Sequence, residues 1–495
     1  MRKVKIILGL FCFALSVNAQ NAQKLKLSTV LQSNMVVQQN QPFKVWGQAL
    51  GGTIISIQAD WMPTPVSITA NAANKFVGII PVPAARSGDF SKHQITVSAA
   101  GQTQVLENVL IGETWICSGQ SNMQFQLHET LDSAKEVPAA SYPQIRLLNA
   151  GLNFSNEPLD SIQGTWQECT PTTARTFSAV GYHFGRELFA RLNVPIGLVF
   201  TGIGASAAQA YVPREALAAD TMLNRAYLQP YMDSPKSKEK IDGGFTFEKV
   251  TRPFLLYNAV INPFINLSIK GFIWYQGESN RGERASYTRL TQTMIQSWRS
   301  AFAQGNLPFY YVQVAPFWYE KDDATLADYA FFREAQERVS SLGNTEMVVT
   351  MDVGESRDLH PKNKKPIGVR LAKTALNRTY GALSINYQGP KFDFVLFAKK
   401  ETEIHFLPET VRNGLETNNG KAPEHFFLAG ADQQFYPATA RIDGSRIVLT
   451  CPDVKNPVAV RYAFTNFPVT NLQNKDGLPA QAFRSDDWPE PISEK

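Results

Sequence analysis

Cysteine and histidine are scarce in this 495-residue chain, which has four of one and six of the other. The cysteines stand far apart, at Cys12, Cys117, Cys169 and Cys451, and that spacing excludes a zinc ribbon or a disulfide-rich scaffold. Strong charge of either sign is also lacking: 48 basic residues face 43 acidic ones, a formal net charge of +5. Nucleic acid is therefore a poor candidate partner. No internal repeat of fixed period and no low-complexity tract breaks the chain. Past the first residues there is no apolar run long enough to span a bilayer.

The one marked apolar run is N-terminal. In MRKVKIILGLFCFALSVNA, Arg2, Lys3 and Lys5 precede the run and Val17-Asn18-Ala19 close it, the pattern of a cleaved secretory signal over residues 1–19. Its removal takes three basic and no acidic residues, lowering the charge from +5 to +2. Cys12 sits inside the run and not at its end, which argues against an acylated anchor. An exported protein, periplasmic or secreted, without an integral membrane segment is the expectation. Of the three remaining cysteines, one disulfide with a free thiol and three free thiols are both open, and Cys117 reads as a small core residue.

With 44% hydrophobic and 18% charged residues, the chain is an ordinary folded composition too long for a single core, so two or three domains are expected. Residues 24–106 contain short alternating runs such as FKVWGQA, TIISIQA and HQITVSA, the texture of a β-sandwich module. Over residues 107–382 the runs NVLIGETWIC, IGLVFTG, GFIWYQG, PFYYVQVAP and EMVVTMDVG are near-continuously apolar, as in parallel strands covered on both faces. Tyr287, Leu290, Met294, Ile295, Trp298 and Phe302 fall on one helical face between two of them. Alternating strand and helix predict an open α/β sheet. In residues 383–495 the helical period disappears and short strands return, predicting a C-terminal β-rich region.

Chemistry concentrates at the strand ends of the middle region. In ICSGQSNMQF, Ser121 follows an apolar strand and precedes a helix-like stretch, so it is expected at the carboxyl edge of the sheet, where open α/β sheets bind ligands. The alternative is a helix N-cap serine. A nucleophilic serine needs a base and donors for the developing negative charge. Of the six histidines, His93, His405 and His425 belong to β regions, His183 lies on a helix-like run, and His128 would sit on the following helix pointing elsewhere. His360, on a loop after the strand EMVVTMD and before Pro361, is the best-placed base. Asp358 can orient it, with Asp352 and Glu355 as rivals. The N–H groups of Ser121 and Gly204 and the side-chain amide of Gln276, each at a strand end, would form a three-donor oxyanion hole. Gln120, Asn122 and Glu278 lie beside these groups as candidate substrate contacts. Glu278 and Asn280 read either as sugar-binding groups or as loop supports, the second being favoured. Trp318 and Tyr319 are read equally as a sugar platform or as packing against a neighbouring domain.

The segments GQSNM at Ser121, FSAVGYHFGREL at Phe177–Leu188, GFIWYQGESN at Gly271–Asn280, FREAQ at Phe332–Gln336 and DLHPKNKKPIGVRLA at Asp358–Ala372 together resemble the sialate O-acetylesterase family. That family belongs to the SGNH hydrolases, whose catalytic domain is a flavodoxin-like, three-layer α/β/α fold. LQSNMVVQQ near the start and NLQNKDGLPAQAFRSD near the end extend the likeness over nearly the whole mature chain. The resemblance implies Ser121 as nucleophile, His360 as base and then acid, Asp358 as its partner, and Gly204 and Gln276 as oxyanion donors, Gln276 standing where many relatives have asparagine. No metal or cofactor is implied. Around Ile203-Gly204-Ala205-Ser206, Gln209, Tyr211 and Asn262-Pro263 the sequence departs from the family pattern, which leaves the substrate more open than the reaction. O-acetylated sialic acids are the leading substrates and acetylated xylan or another polysaccharide the nearest rival. A non-catalytic carbohydrate-binding protein is the alternative from another class, against which the joint presence of Ser121, Asp358 and His360 speaks.

Overall fold

The computed structural model describes residues 24–319 and 326–491. The signal-like segment 1–19 lies outside the described residues.

One strand organises the molecule. β1 (Gln102–Gly119) is 18 residues long. Its first half pairs with His93–Ala99 in an antiparallel β-sandwich sheet, and its second half is the centre of a parallel sheet. The boundary expected between residues 106 and 107 falls within this strand, which the two regions share. Of the remaining strands of the N-terminal part, Phe43–Gln48 and Lys75–Ile80 lie in one sheet and Ile54–Ala59 and Val66–Thr69 in the other, and Lys75–Ile80 and Ile54–Ala59 bury every second residue as the period-two runs require.

After β1 come the short helix α1 (Ser121–Gln124), β2 (Tyr142–Asn149), β3 (Trp166–Cys169), α2 (Ala179–Leu192), β4 (Ile196–Phe200), β5 (Gly271–Tyr275), α3 (Ala285–Phe302), β6 (Phe309–Val312), α4 (Asp328–Glu337), β7 (Thr345–Val348) and α5 (Lys365–Arg378). The sheet order is β3-β2-β4-β1-β5-β6-β7, parallel throughout except for the antiparallel edge strand β3. Connections run to one side of β1 and then to the other, so β1 is the topological switch point, the place where such sheets open a crevice.

Parity along the strands assigns the layers. Ile116, Phe272, Trp274, Phe309 and Tyr311 face α3 and its stripe of Tyr287, Leu290, Met294, Ile295, Trp298 and Phe302, all buried. The alternate residues Trp115, Cys117, Ile273, Tyr275, Tyr310 and Val312 face Val180, Phe184 and Leu188 of α2 and Ile367, Leu371 and Ala375 of α5. This is the expected three-layer α/β/α core, with the expected helical face on α3. Gly368 lets α2 and α5 approach: a Cβ there would stand 2.6 Å from His183 Cβ and 2.7 Å from the Val180 carbonyl.

The C-terminal part forms two four-stranded sheets and a two-stranded one around a separate core that includes Ile404, Phe426, Ile447, Val460 and Phe483. It is fastened to the α/β region by Arg484 on Glu334 of α4, at 3.0 Å, and by Thr470 Oγ1 donating to the Met351 carbonyl, at 3.0 Å. Cys117, Cys169 and Cys451 are free thiols, the first two buried. Burial pushes the Cys117 thiol far up and that of Cys169 to about 12, which disfavours the reactive thiolate form in both.

Candidate active site

Gly119 ends β1 with φ +140°, in contact with β5: a Cβ on it would lie 2.2 Å from the Tyr275 carbonyl oxygen. That conformation belongs to glycine, and it turns the chain sharply out of the sheet into α1. Gln120 takes the N-cap position and Ser121 the first helical one. Ser121 is thus not a cap: its hydroxyl is left for another partner, and its own N–H has no acceptor within the helix.

The partner is His360. Its Nε2 lies 2.7 Å from Ser121 Oγ, a hydrogen bond of normal length across 239 residues of sequence. The imidazole lies against the Phe125 ring, centroids 6.5 Å apart and 23° between planes. Burial and the Lys364 ammonium hold its pKa below the usual 6.5, while Asp358 and Glu129 pull the other way. A neutral ring with Nε2 facing the hydroxyl is the form that accepts a proton.

Asp358 stands beside His360 in an unexpected manner. Its Oδ1 accepts the His360 backbone N–H at 2.8 Å and lies 3.9 Å from Nδ1, beyond hydrogen-bond length. It therefore shapes the loop and acts on the ring through its charge. The rivals are occupied elsewhere: Asp352 grips Arg370, with contacts of 2.8 and 2.5 Å, and Glu355 accepts from the Lys362 N–H at 2.7 Å.

The other histidines are accounted for. His93 bonds Asp60, His128 the Arg175 carbonyl, His405 stacks on Phe394, and His425 meets the Val469 carbonyl. His183 is fully buried without a polar partner among the described residues, and burial drops its pKa to about 3.

The oxyanion set differs from expectation. Gly204 does lie against Ser121, a Cβ on it falling 3.8 Å from that of the serine. Its N–H, however, is held by the side-chain oxygen of Gln124 at 2.8 Å. Gln276 is fully buried; its Nε2 donates to the Ser206 carbonyl at 3.2 Å and to Asn280 Oδ1 at 2.7 Å. With both amide hydrogens engaged away from Ser121, Gln276 holds its loop and is not an oxyanion donor in this arrangement. A strand-end position says where a residue is, and the competition among nearby acceptors decides where its amide points.

The suggested substrate contacts are also engaged within the protein. Gln120, Asn122 and Glu278 are 2%, 0% and 7% exposed. Gln120 Oε1 accepts from the Gly277 and Ser279 N–H groups, and Asn122 bonds Glu278. All three brace the loops after β1 and β5, as was favoured for Glu278. Asn280 likewise bonds Gln209 and Glu283. Tyr211 gathers the Ile203 N–H and the Ser206 hydroxyl and donates to the Gly119 carbonyl at 3.0 Å, so the departure near Gly204 supports the turn that carries Ser121. Asn262 bonds the Leu159 carbonyl at 2.9 Å. Trp318 packs on Phe467 and Tyr319 on Phe317 and Tyr329, the packing alternative. Gln124, Phe125 and Lys364 are site residues that the sequence reading passed over.

Residues 241–377 match the family model of the carbohydrate esterases described as sialic acid-specific acetylesterases. A carbohydrate acetylesterase of known structure from Xanthomonas citri is 32% identical, with a TM-score of 0.83 over 94% of this chain and 100% of that one. The sialate O-acetylesterase of Mus musculus is 27% identical over 72% of this chain and 74% of its own, and that of Homo sapiens 27% identical over 74% and 73%. With the fold and the Ser121–His360 pair already in place, these similarities lead to one conclusion: the chain belongs to the sialate O-acetylesterase family of SGNH hydrolases and is a carboxylic ester hydrolase.

Proposed function

We propose that the protein removes O-acetyl groups from glycans through an acetyl-enzyme on Ser121, with O-acetylated sialic acids as the leading substrates. The single observation that carries the mechanism is the 2.7 Å contact between Ser121 Oγ and His360 Nε2. In the first half-reaction Ser121 Oγ attacks the acetyl carbonyl as His360 Nε2 takes its proton. The C–O bond to the sugar then breaks, and the sugar oxygen leaves with that proton. In the second half-reaction His360 deprotonates a water, which attacks the acetyl-serine, and acetate departs as Ser121 regains its proton. Negative charge on the carbonyl oxygen is met by the Ser121 N–H and, once Gln124 releases it, by the Gly204 N–H.

The substrate class rests on the family and on the names of the relatives. Acetylated xylan or another polysaccharide stays the second reading, because the residues around Gly204 and Asn262 differ from the family pattern in the part of the chain where sugar would bind. Export is inferred from residues 1–19 alone, and N-terminal sequencing of the mature protein tests it. The reaction is tested by acetate release from a panel of O-acetylated sialic acids and acetylated xylan, together with intact-mass detection of an acetyl adduct. Release from the sialic acids and an adduct lost in Ser121→Ala are expected. Absence of hydrolysis on every acetyl ester overturns the reading, and release from xylan alone shifts the substrate.

A further inference from the structure

Directly beneath the catalytic pair lies a buried charge that the acyl-transfer steps do not use. Lys364 is 0% exposed. Its Nζ donates to Asn122 Oδ1, and the Asn122 amide nitrogen donates to Glu278 Oε1 at 2.5 Å and to the Leu359 carbonyl at 3.1 Å. Each end of this chain touches a different piece of the site. Asn122 follows Ser121, Leu359 precedes His360, and Glu278 belongs to the loop after β5. The ammonium also lies 4.8 Å from the centroid of the Phe125 ring, which stacks on His360, and 5.7 Å from that of Tyr275.

An ammonium taken out of water costs several kcal/mol unless it is compensated. Replacing buried charged groups by apolar residues of similar volume often leaves a fold as stable or more so. Packing alone therefore gives no reason for a lysine here, whereas its partners give a specific one. The Asn122 amide is the hinge: its oxygen accepts from Lys364 Nζ and its nitrogen donates to Glu278 Oε1, so a donor on one side and an acceptor on the other fix its orientation. That orientation in turn aims its second hydrogen at Leu359.

We propose that Lys364 is a positioning residue of the esterase, whose ammonium acts through Asn122 to lock the Ser121 turn, the Glu278 loop and the His360 loop into one unit. The proposal rests on the Ser121–His360 reading given above. A consequence concerns the charge felt by His360. Lys364 lowers the affinity of that imidazole for a proton, opposed by Asp358 on the same loop and by Glu129 from the turn at Leu127–Glu129. Lys364 itself faces Glu278, Asp358, Glu355 and Glu129, which partly offset the burial that brings it to about 7.

The test uses the full-length mature protein with p-nitrophenyl acetate as probe and compares pH profiles of wild type, Lys364→Met and Asn122→Ala, with folding checked by circular dichroism and thermal melting. In Lys364→Met, kcat is expected to fall roughly 10- to 100-fold with KM little changed, since small misplacements of a catalytic pair have effects of this size. The acid limb of kcat/KM is expected to move to higher pH, because the cation that opposed imidazole protonation is gone. In Asn122→Ala both charges remain, so kcat falls and the acid limb stays. A folded Lys364→Met with wild-type kcat and an unmoved acid limb overturns the proposal. If that variant does not fold, a folded Asn122→Ala with wild-type kcat overturns it. An inactive wild type is a separate result, which removes the esterase reading and this proposal with it.

Discussion

The backbone N–H of Gly204 donates to the side-chain oxygen of Gln124 at 2.8 Å, so an amide oxygen occupies the donor that an ester's carbonyl oxygen would need. Gln124 is exposed and free to swing away, and an exposed hydrogen bond of this kind is worth only about 1 kcal/mol. Gln124→Ala is therefore expected to keep kcat and to lower KM by a factor of up to about 5. Gln124→Glu places a negative charge beside the developing oxyanion and should reduce kcat more than tenfold. Steady-state kinetics on p-nitrophenyl acetate checks both. A large loss of kcat in the alanine variant would mean that Gln124 itself donates to the transition state.

The pH dependence follows from the environment of His360. Burial and Lys364 hold its pKa below 6.5 in the folded protein, and in the proposed mechanism His360 takes up a proton only when neutral. Activity is thus present above that depressed pKa and lost as pH falls through it. The acid limb of kcat/KM should have its midpoint under 6.5. A midpoint above that value would show the Asp358 and Glu129 charges outweighing burial and Lys364.

Asp358 has two separable roles, a backbone contact of 2.8 Å and a charge 3.9 Å from Nδ1. Asp358→Asn keeps an acceptor for the His360 N–H and removes the charge; Asp358→Ala removes both. We expect a loss in kcat of roughly 10-fold for the first and at least as much again for the second, because a half-exposed charge is partly screened while a displaced imidazole loses its aim. Equal losses in the two variants would assign the whole effect to charge.

Gln276 separates stability from chemistry. Its amide donates two hydrogen bonds, and its backbone carbonyl accepts from Tyr287 Oη at 3.1 Å and from Gln336 Nε2 at 3.2 Å. Gln276→Leu takes the side-chain donor from the buried Ser206 carbonyl and one of two donors from Asn280 Oδ1, which keeps the Ala208 N–H, and should destabilise the protein by about 1–3 kcal/mol, read as a lower midpoint in urea. The folded variant should retain more activity than Ser121→Ala. Loss as complete as that of Ser121→Ala, with stability unchanged, would restore Gln276 to the oxyanion hole.

Much of this molecule is written in its sequence. The near-continuous apolar strands around Ile116, Val199 and Ile273, and the helical stripe from Tyr287 to Phe302, determine a doubly covered parallel sheet, because periodicity and burial are local consequences of residue order. Ser121 and His360 were legible for a related reason: Gly119 and Pro361 constrain the backbone on either side of them, and strand ends of such a sheet converge. What only the tertiary structure decided is which polar groups meet. The engagement of Gln276 by Ser206 and Asn280, of Gly204 by Gln124, and the seating of a fully buried Lys364 on Asn122 depend on acceptors brought in from other strand ends. A side-chain amide or ammonium is satisfied by whichever partner lies within about 3 Å, and no spacing along the chain records that distance.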